Sequence, residues 1–312
     1  MSRQDIVFIG SAILDTVIKG FDPEPVSAAG FCAESGSINS GGEAVNGSIA
    51  SAKLGMSSAI LCFLGRDQAG DLIEAELIKS GVDTEYVVRP EGHPTPVTTI
   101  FVAEDGNRRS ITNKAHRYNF HPEQYAEAFA GAKAVVLGSL FRAPFNDPGV
   151  IRAVVEEAHA GGAMVFADTK LPNYIKLGLD DIADSLPLVD YITPNEDEAR
   201  YYTGETEPEK MADVFLAKGV RNVIIKLGDR GCFFKNSERA IALPAYKIEV
   251  VDATGAGDNF MAGLVSELIH GSSIDDALAF AGGCGAICTT AVGTGTALKN
   301  REQVLDLLKN NR

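Results

Sequence analysis

Short apolar runs alternate with amphipathic stretches over most of the chain. Ile6–Ile9, ending at Gly10, reads as a buried strand by its length and flanks. Val45, Ile49, Ala52 and Leu54 share a helical face closed by Gly55, and Ala59–Leu64 is the next buried strand. Leu72, Ile73, Leu77 and Ile78 mark a second helix that stops at Gly81. Residues 19–40, with Pro23, Pro25 and several Gly and Ser, read as loop-rich. From Lys133 the rhythm resumes, with strands at Ala134–Gly138, Met164–Asp168, Tyr191–Thr193 and Val223–Leu227 and helices between. Such alternation predicts a mainly parallel sheet covered on both faces, with ligands beyond the carboxyl ends of its strands.

Two stretches break the rhythm. Val97–Ala103 and Arg108–Thr112 flank Glu104-Asp105-Gly106-Asn107, a hairpin signal, and predict a lid or edge element standing off the main sheet. Gly231–Phe234 and Ala240–Leu243 predict a second antiparallel pair. Towards the C-terminus, Phe260, Met261, Leu264, Val265, Leu268 and Ile269 form one helical face, with Gly271 at C′. Ser273 is the expected N-cap of a small-residue helix reaching Thr290, and Gly293-Thr294-Gly295 a loop after it.

The helix carrying Phe260 should open near Thr254 or Gly255, inside the stretch Val251–Leu264 (VDATGAGDNFMAGL). The amides of Gly255, Ala256 and Gly257 then lie in or beside its first turn. There they lack intrahelical partners, and the helix dipole favours an anion. Asp258 places a carboxylate beside that anion site. Phosphoryl transfer needs both parts, amide dipoles around the moving group and a base for the attacking hydroxyl. The helix N-terminus is expected to favour the ionised form of Asp258.

Composition narrows the functional classes. The 312 residues are 45% hydrophobic and 22% charged, with ample core and neither an internal repeat nor a clean linker, so 1–312 reads as a single domain. A net charge of −14 argues against nucleic acid and anionic membrane as partners. Without an 18-residue apolar run or a signal-peptide pattern, the expectation is a cytoplasmic chain. Its five cysteines include no CxxC pair, which points to a reduced, zinc-free protein. The dinucleotide fingerprint fails because Phe260 stands where a third Gly is required. A P-loop fails because Ser48-Ile49 replace Lys-[Ser/Thr].

The ordered set of motifs resembles the ribokinase-like (PfkB-type) carbohydrate kinase family over nearly the whole chain. It comprises Asp15 after the first strand, Gly41-Gly42…Asn46, Gly65-Arg66-Asp67…Gly70, Asn195-x-x-Glu198, Lys226-Leu227-Gly228-x-x-Gly231, and Asp252-Ala253-Thr254-Gly255-Ala256-Gly257-Asp258. The resemblance implies a three-layer α/β domain with a small β-sheet lid built from segments about 12–40 and 95–115. It implies Asp258 as catalytic base, with Gly255, Ala256 and Gly257 supplying amides to the phosphoryl group. Asp15, Gly41, Gly42 and Asn46 would hold sugar hydroxyls. Lys226, Gly228 and Gly231 would border ATP, and Asn195 with Glu198 would position Mg²⁺ and phosphate. Asp252 and Thr254, with carbonyls around Ala291–Gly295, match where many members bind an activating monovalent cation such as K⁺. Plainer readings stand beside these: a turn residue at Asp15, a tight helix entry at Gly41-Gly42, an acidic helix start at 196–198.

Some positions depart from the family pattern. Glu43 would repel an acidic acceptor. Lys170 is either a neutraliser of ATP phosphate or a solvated loop lysine, and Arg108, Arg109 and Arg117 around the hairpin read as solvated charges. The expectation is an ATP-dependent kinase for a neutral sugar of ribose or fructose type. A nucleoside kinase is the alternative, for which the hairpin region offers only Phe31, Phe101 and Tyr118 to stack on a base. A silent sugar- or nucleotide-binding protein and a nicotinamide-dependent dehydrogenase are disfavoured, the latter by the missing fingerprint. An exposed lid edge could pair with a second copy, giving a homodimer.

Overall fold

Ile6–Ile9 is buried at every residue, as is Ala134–Leu140, and this two-sided burial explains why these runs show no alternation. In chain order the strands are β1 (Ile6–Ile9), β2 (Ile13–Lys19), β3 (Ser35–Gly41), β4 (Ser58–Phe63), β5 (Val87–Val88), β6 (Val97–Val102), β7 (Arg108–Thr112), β8 (Ala134–Leu140), β9 (Met164–Thr169), β10 (Tyr191–Ile192), β11 (Asn222–Lys226), β12 (Cys232–Asn236) and β13 (Ala240–Leu243). The helices are α1 (Glu43–Lys53), α2 (Gln68–Lys79), α3 (Ala126–Phe129), α4 (Pro148–Ala160), α5 (Glu196–Thr203), α6 (Pro208–Ala217), α7 (Ala256–Ile269), α8 (Ile274–Cys288) and α9 (Arg301–Asn310). This computed structural model describes residues 4–20, 33–103, 108–113, 120–173 and 175–310, the side chains of Arg108 and Glu123 excepted.

Nine strands form the main sheet in the order β13-β12-β11-β10-β9-β8-β1-β4-β5. From β11 to β5 the pairings are parallel, while β12 and β13 turn back as the antiparallel pair expected from sequence. Alternation along β1 sorts the core. Ile6 and Phe8 face α1, α2, α7 and α8, whereas Val7 and Ile9 face α3, α4, α5 and α6. Three layers result, two helical and one of sheet. The chain order reverses at β1, which lies between β4 and β8, so the ligand crevice opens at the carboxyl ends of β1 and β8.

A second sheet of four strands has the order β3-β2-β6-β7. Within the loop-rich stretch 19–40, Ser35–Gly41 is a strand paired antiparallel with β2. Its sequence, SGSINSG, has neither alternation nor bulk, and neighbouring β2 rather than its own propensity makes it extended. Phe31 and the Glu104–Asn107 turn, like Arg117 and Tyr118, lie outside the described residues.

Candidate active site

α7 opens where the sequence placed it. Gly255 caps the helix at φ 80°, and a Cβ there would lie 2.7 Å from Thr294 Cβ, so both conformation and space demand glycine. Among the described residues the amides of Gly257 and Asp258 have no acceptor, which leaves two donors of the first turn aimed outward. Ala256 is different, because its amide donates to the Ala253 carbonyl at 3.3 Å.

Asp258 projects from this turn towards α1. Asn46 Nδ2 donates to Asp258 Oδ2 at 2.7 Å, and Thr294 Oγ1 donates to Asn46 Oδ1 at 2.8 Å. Asn46, read from sequence as a holder of sugar hydroxyls, therefore spends both ends of its buried amide on the protein. Burial pushes the Asp258 carboxyl up to about 6, with Glu43 and Asp168 adding to the rise and Lys170 and Asn46 opposing it. This corrects the expectation drawn from the helix dipole. Desolvation and neighbouring carboxylates outweigh the local field.

Three segments converge under α7. Lys226, at the end of β11, binds both carboxylate oxygens of buried Asp168 from β9, at 2.9 and 2.8 Å. The ammonium also lies 3.1 Å from where a Cβ of Gly257 would stand, so glycine leaves room for it. Asn195 and Glu198 form a reciprocal capping box at the start of α5, and Glu198 Oε2 also accepts from Thr169 Oγ1 at 2.9 Å. The plainer reading of this motif as a helix start is thus present in the geometry. Burial and Asp168 push the Glu198 carboxyl up, against Lys226, the Asn195 amide and Lys170.

Lys170, half-buried just beyond β9, is no solvated loop lysine. No described carboxylate pairs with its ammonium within 4 Å. Burial works to lower its pKa, yet the field of Asp258, Asp168, Glu43 and Glu198 prevails and raises it. Glu43 is equally committed: its Oε1 accepts from the Ser11 amide at 3.0 Å and its Oε2 from Ser11 Oγ at 2.7 Å. It fills the gap between the ends of β1 and β8 that Gly10 and Gly138 leave open.

On the second sheet, Asp15 sits between Asn39 and Thr98 of the neighbouring strands, and burial pushes its carboxyl up to about 6. A Cβ at Gly41 would collide with the Asp15 carboxylate, so Gly41 makes the pocket in which Asp15 stands. Gly42, at φ 96°, turns the chain from β3 into α1. Gly228 and Gly231 shape the bend from β11 to β12 at φ 63° and 93°, with Gly231 packed on the Leu243 carbonyl. Asp252 accepts from the Thr254 amide and hydroxyl at 3.0 and 2.7 Å and from the Gly293 amide at 3.1 Å. Thr294 and Ser11 were missed from sequence, and no local signal marks either.

A mainly parallel sheet open at its switch point, with outward amides and a raised carboxyl at one helix start, has the parts that an α/β phosphotransferase needs. The chain belongs to the pfkB family of carbohydrate kinases, whose model matches residues 3–301. It is therefore a sugar kinase, transferring phosphate to a hydroxyl group. It is 27% identical over 274 residues to a ribokinase of Haemophilus influenzae, covering 86% of this chain and 87% of that protein. It is 28% identical to a 2-dehydro-3-deoxygluconokinase of Bacillus subtilis, covering 84% of each. The fold matches Arabidopsis thaliana ribokinase, solved with ribose and ATP, at a TM-score of 0.84, 26% identity and 99% of each chain.

Proposed function

We propose that this kinase moves the γ-phosphoryl group of ATP onto a hydroxymethyl group of a neutral sugar of ribose or fructose type, with Asp258 as the base. The observation that carries the reading is the Asp258 carboxylate, oriented by Asn46 beside the unpartnered amides of Gly257 and its own residue. A carboxyl titrating near 6 is ionised at neutral pH yet basic enough to accept a proton. The acceptor oxygen gives its proton to Asp258 and bonds to phosphorus as the bond to ADP breaks. Amides at the start of α7 and the Lys170 ammonium stabilise charge on the moving group.

Asp15 and the Gly41-Gly42 backbone hold acceptor hydroxyls in this reading, and Asn46 positions Asp258. Lys226, Asn195 and the Gly228–Gly231 bend border the ATP phosphates. Glu198, one of two close carboxylates under α7, fits a hydrated Mg²⁺, which neutralises phosphate charge when bound. The four-stranded sheet closes as a lid and excludes water. Its edge strands expose Ile38 (64%) and Ile111 (69%), to which a second copy could pair, and the protein works in the cytoplasm.

A neutral acceptor is favoured because Asp258, Asp168, Glu43 and Glu198 crowd the Lys170 ammonium, which pairs with none of the described carboxylates, while Asp15 adds a further carboxylate on the second sheet. A nucleoside acceptor is the second reading, favoured by an apolar cleft of Ala12, Phe63, Pro96, Ala143 and Pro144 beside Ser11. Coupled ADP release against ribose, fructose, sugar phosphates, 2-keto-3-deoxy acid sugars and nucleosides tests both. Turnover with a neutral sugar is expected. Turnover confined to acid sugars, or to nucleosides, would replace the acceptor, and none at all would sink the reading.

A further inference from the structure

The family resemblance places an activating monovalent cation at Asp252, Thr254 and the carbonyls of Ala291–Gly295, and the residues present do not fit one. An alkali ion is held by several oxygens that exchange its hydration shell for their own dipoles. Here most of those oxygens already have protein donors. Thr296 Oγ1 reaches the Val292 carbonyl at 2.6 Å and the Gly293 carbonyl at 3.4 Å. Asn259 Nδ2 donates to the carbonyls of Thr294 and Gly255, each at 2.9 Å. The Cys288 thiol stands 3.4 Å from the Thr294 carbonyl and 3.5 Å from that of Thr254. Lys53 Nζ donates to the Gly295 carbonyl and Lys299 Nζ to that of Thr296. Both oxygens of the Asp252 carboxylate accept from Thr254 and Gly293. The carbonyls of Val292, Thr294, Gly295 and Thr296 thus have donors, two of them ammonium groups, and the one Thr296 hydroxyl proton serves Val292 in preference to Gly293.

One buried side-chain oxygen at this place is left over, Asn259 Oδ1, which has no hydrogen-bond partner among the described residues. That amide oxygen, even with the Ala291 and Gly293 carbonyls, falls short of a coordination shell. Lys53 is the more telling group. It ends α1, the helix that carries Asn46, and it is half-buried against the 292–296 loop, with Cys288 near enough to feel its charge. The loop is consequently tied to α1 twice, by Lys53 at Gly295 and by Thr294 at Asn46, and the second tie leads directly to Asp258.

We propose that this enzyme needs no activating alkali cation, because the Lys53 ammonium, aided by the Asn259 amide, stands where the ion would and holds the 292–296 loop in register with Asn46. Lys53 is on this account a positioning residue. The proposal goes beyond the assigned reaction, and its first test needs no acceptor.

Thermal unfolding of the wild-type protein is measured in potassium chloride and in choline chloride at equal ionic strength, with thallium-205 NMR as a direct probe of cation binding. No potassium-specific shift and no saturable thallium signal are expected. A potassium-specific stabilisation of several degrees, or saturable thallium binding, would overturn the proposal. Lys53→Met should acquire both responses, and Lys53→Arg, which keeps the cation, should acquire neither. A folded Lys53→Met protein that stays indifferent to potassium would refute the assignment to Lys53. With an acceptor in hand, wild-type turnover should agree within about twofold between the two salts. For Lys53→Met, turnover lost in choline should be regained in potassium.

Discussion

Replacing Asp258 by Asn should stabilise the unliganded protein while disabling it. The fold holds this carboxyl at about 6 against an ordinary 3.8, chiefly because burial opposes its charge. At pH 8 the folded site must carry an ionised group that its surroundings disfavour, which corresponds to about 3 kcal/mol at about 1.4 kcal/mol per pH unit. The sign follows from the raised pKa. Below the unfolded carboxyl's pKa the group is protonated in both states and costs nothing. As pH rises from 3.8 to about 6 the unfolded state releases a proton that the folded state keeps, so stability is lost over that window and the loss is complete above it. Asparagine cannot ionise and still offers an oxygen to Asn46, so the Asn46 donor keeps its acceptor. Urea denaturation should show Asp258→Asn more stable than wild type by about 1–3 kcal/mol at pH 8, with the gain falling to about half at pH 5. A variant less stable at pH 8, or a gain that ignores pH, would refute the reasoning.

Other substitutions probe the rest of the site. Gly41→Ala forces its Cβ into the Asp15 carboxylate, so acceptor KM should rise about tenfold or more with kcat less affected, as steady-state kinetics would show. Lys170→Met removes the ammonium that four carboxylates surround. KM for ATP should rise and the acid limb of the pH profile should move up, because Lys170 opposes the rise in Asp258; unchanged ATP kinetics would dispose of its phosphate role. Glu198→Gln leaves the capping oxygen in place, so stability should change by less than about 1 kcal/mol while the magnesium requirement rises. Equal magnesium titrations for variant and parent would leave Glu198 with its capping role alone.

What could be read from the sequence was local. The turn 252–258 announces itself because Gly255, Gly257 and Asp258 sit within one stretch of a strand–helix junction, and the fully buried strands announce themselves by unbroken apolar runs. Asn46 illustrates the limit. Its partner Asp258 is 212 residues away and Thr294 is 248 away, so no spacing rule relates them. The raised carboxyl of Asp258 was hidden for the same reason. The helix dipole is written into residues 254–258, but the burial that overrides it comes from α1 and the end of β9. β3 was illegible because polar small residues carry no period. Glu43 showed its charge but not its commitment to Ser11, and Lys53 looked like any lysine near the end of a helix.

The central claim is that Asp258 takes the acceptor proton. Its most direct test is the pH dependence of kcat/KM, measured by ADP release with the acceptor that turns over fastest, in wild type and in Asp258→Asn. With a base held near 6, log kcat/KM should fall by about one per pH unit below that value, since the protonated carboxyl cannot accept. Asp258→Asn should lose about 10²–10⁴-fold at neutral pH and show no limb near 6. A wild-type profile flat to pH 5, or an asparagine variant that turns over like its parent, would contradict the account.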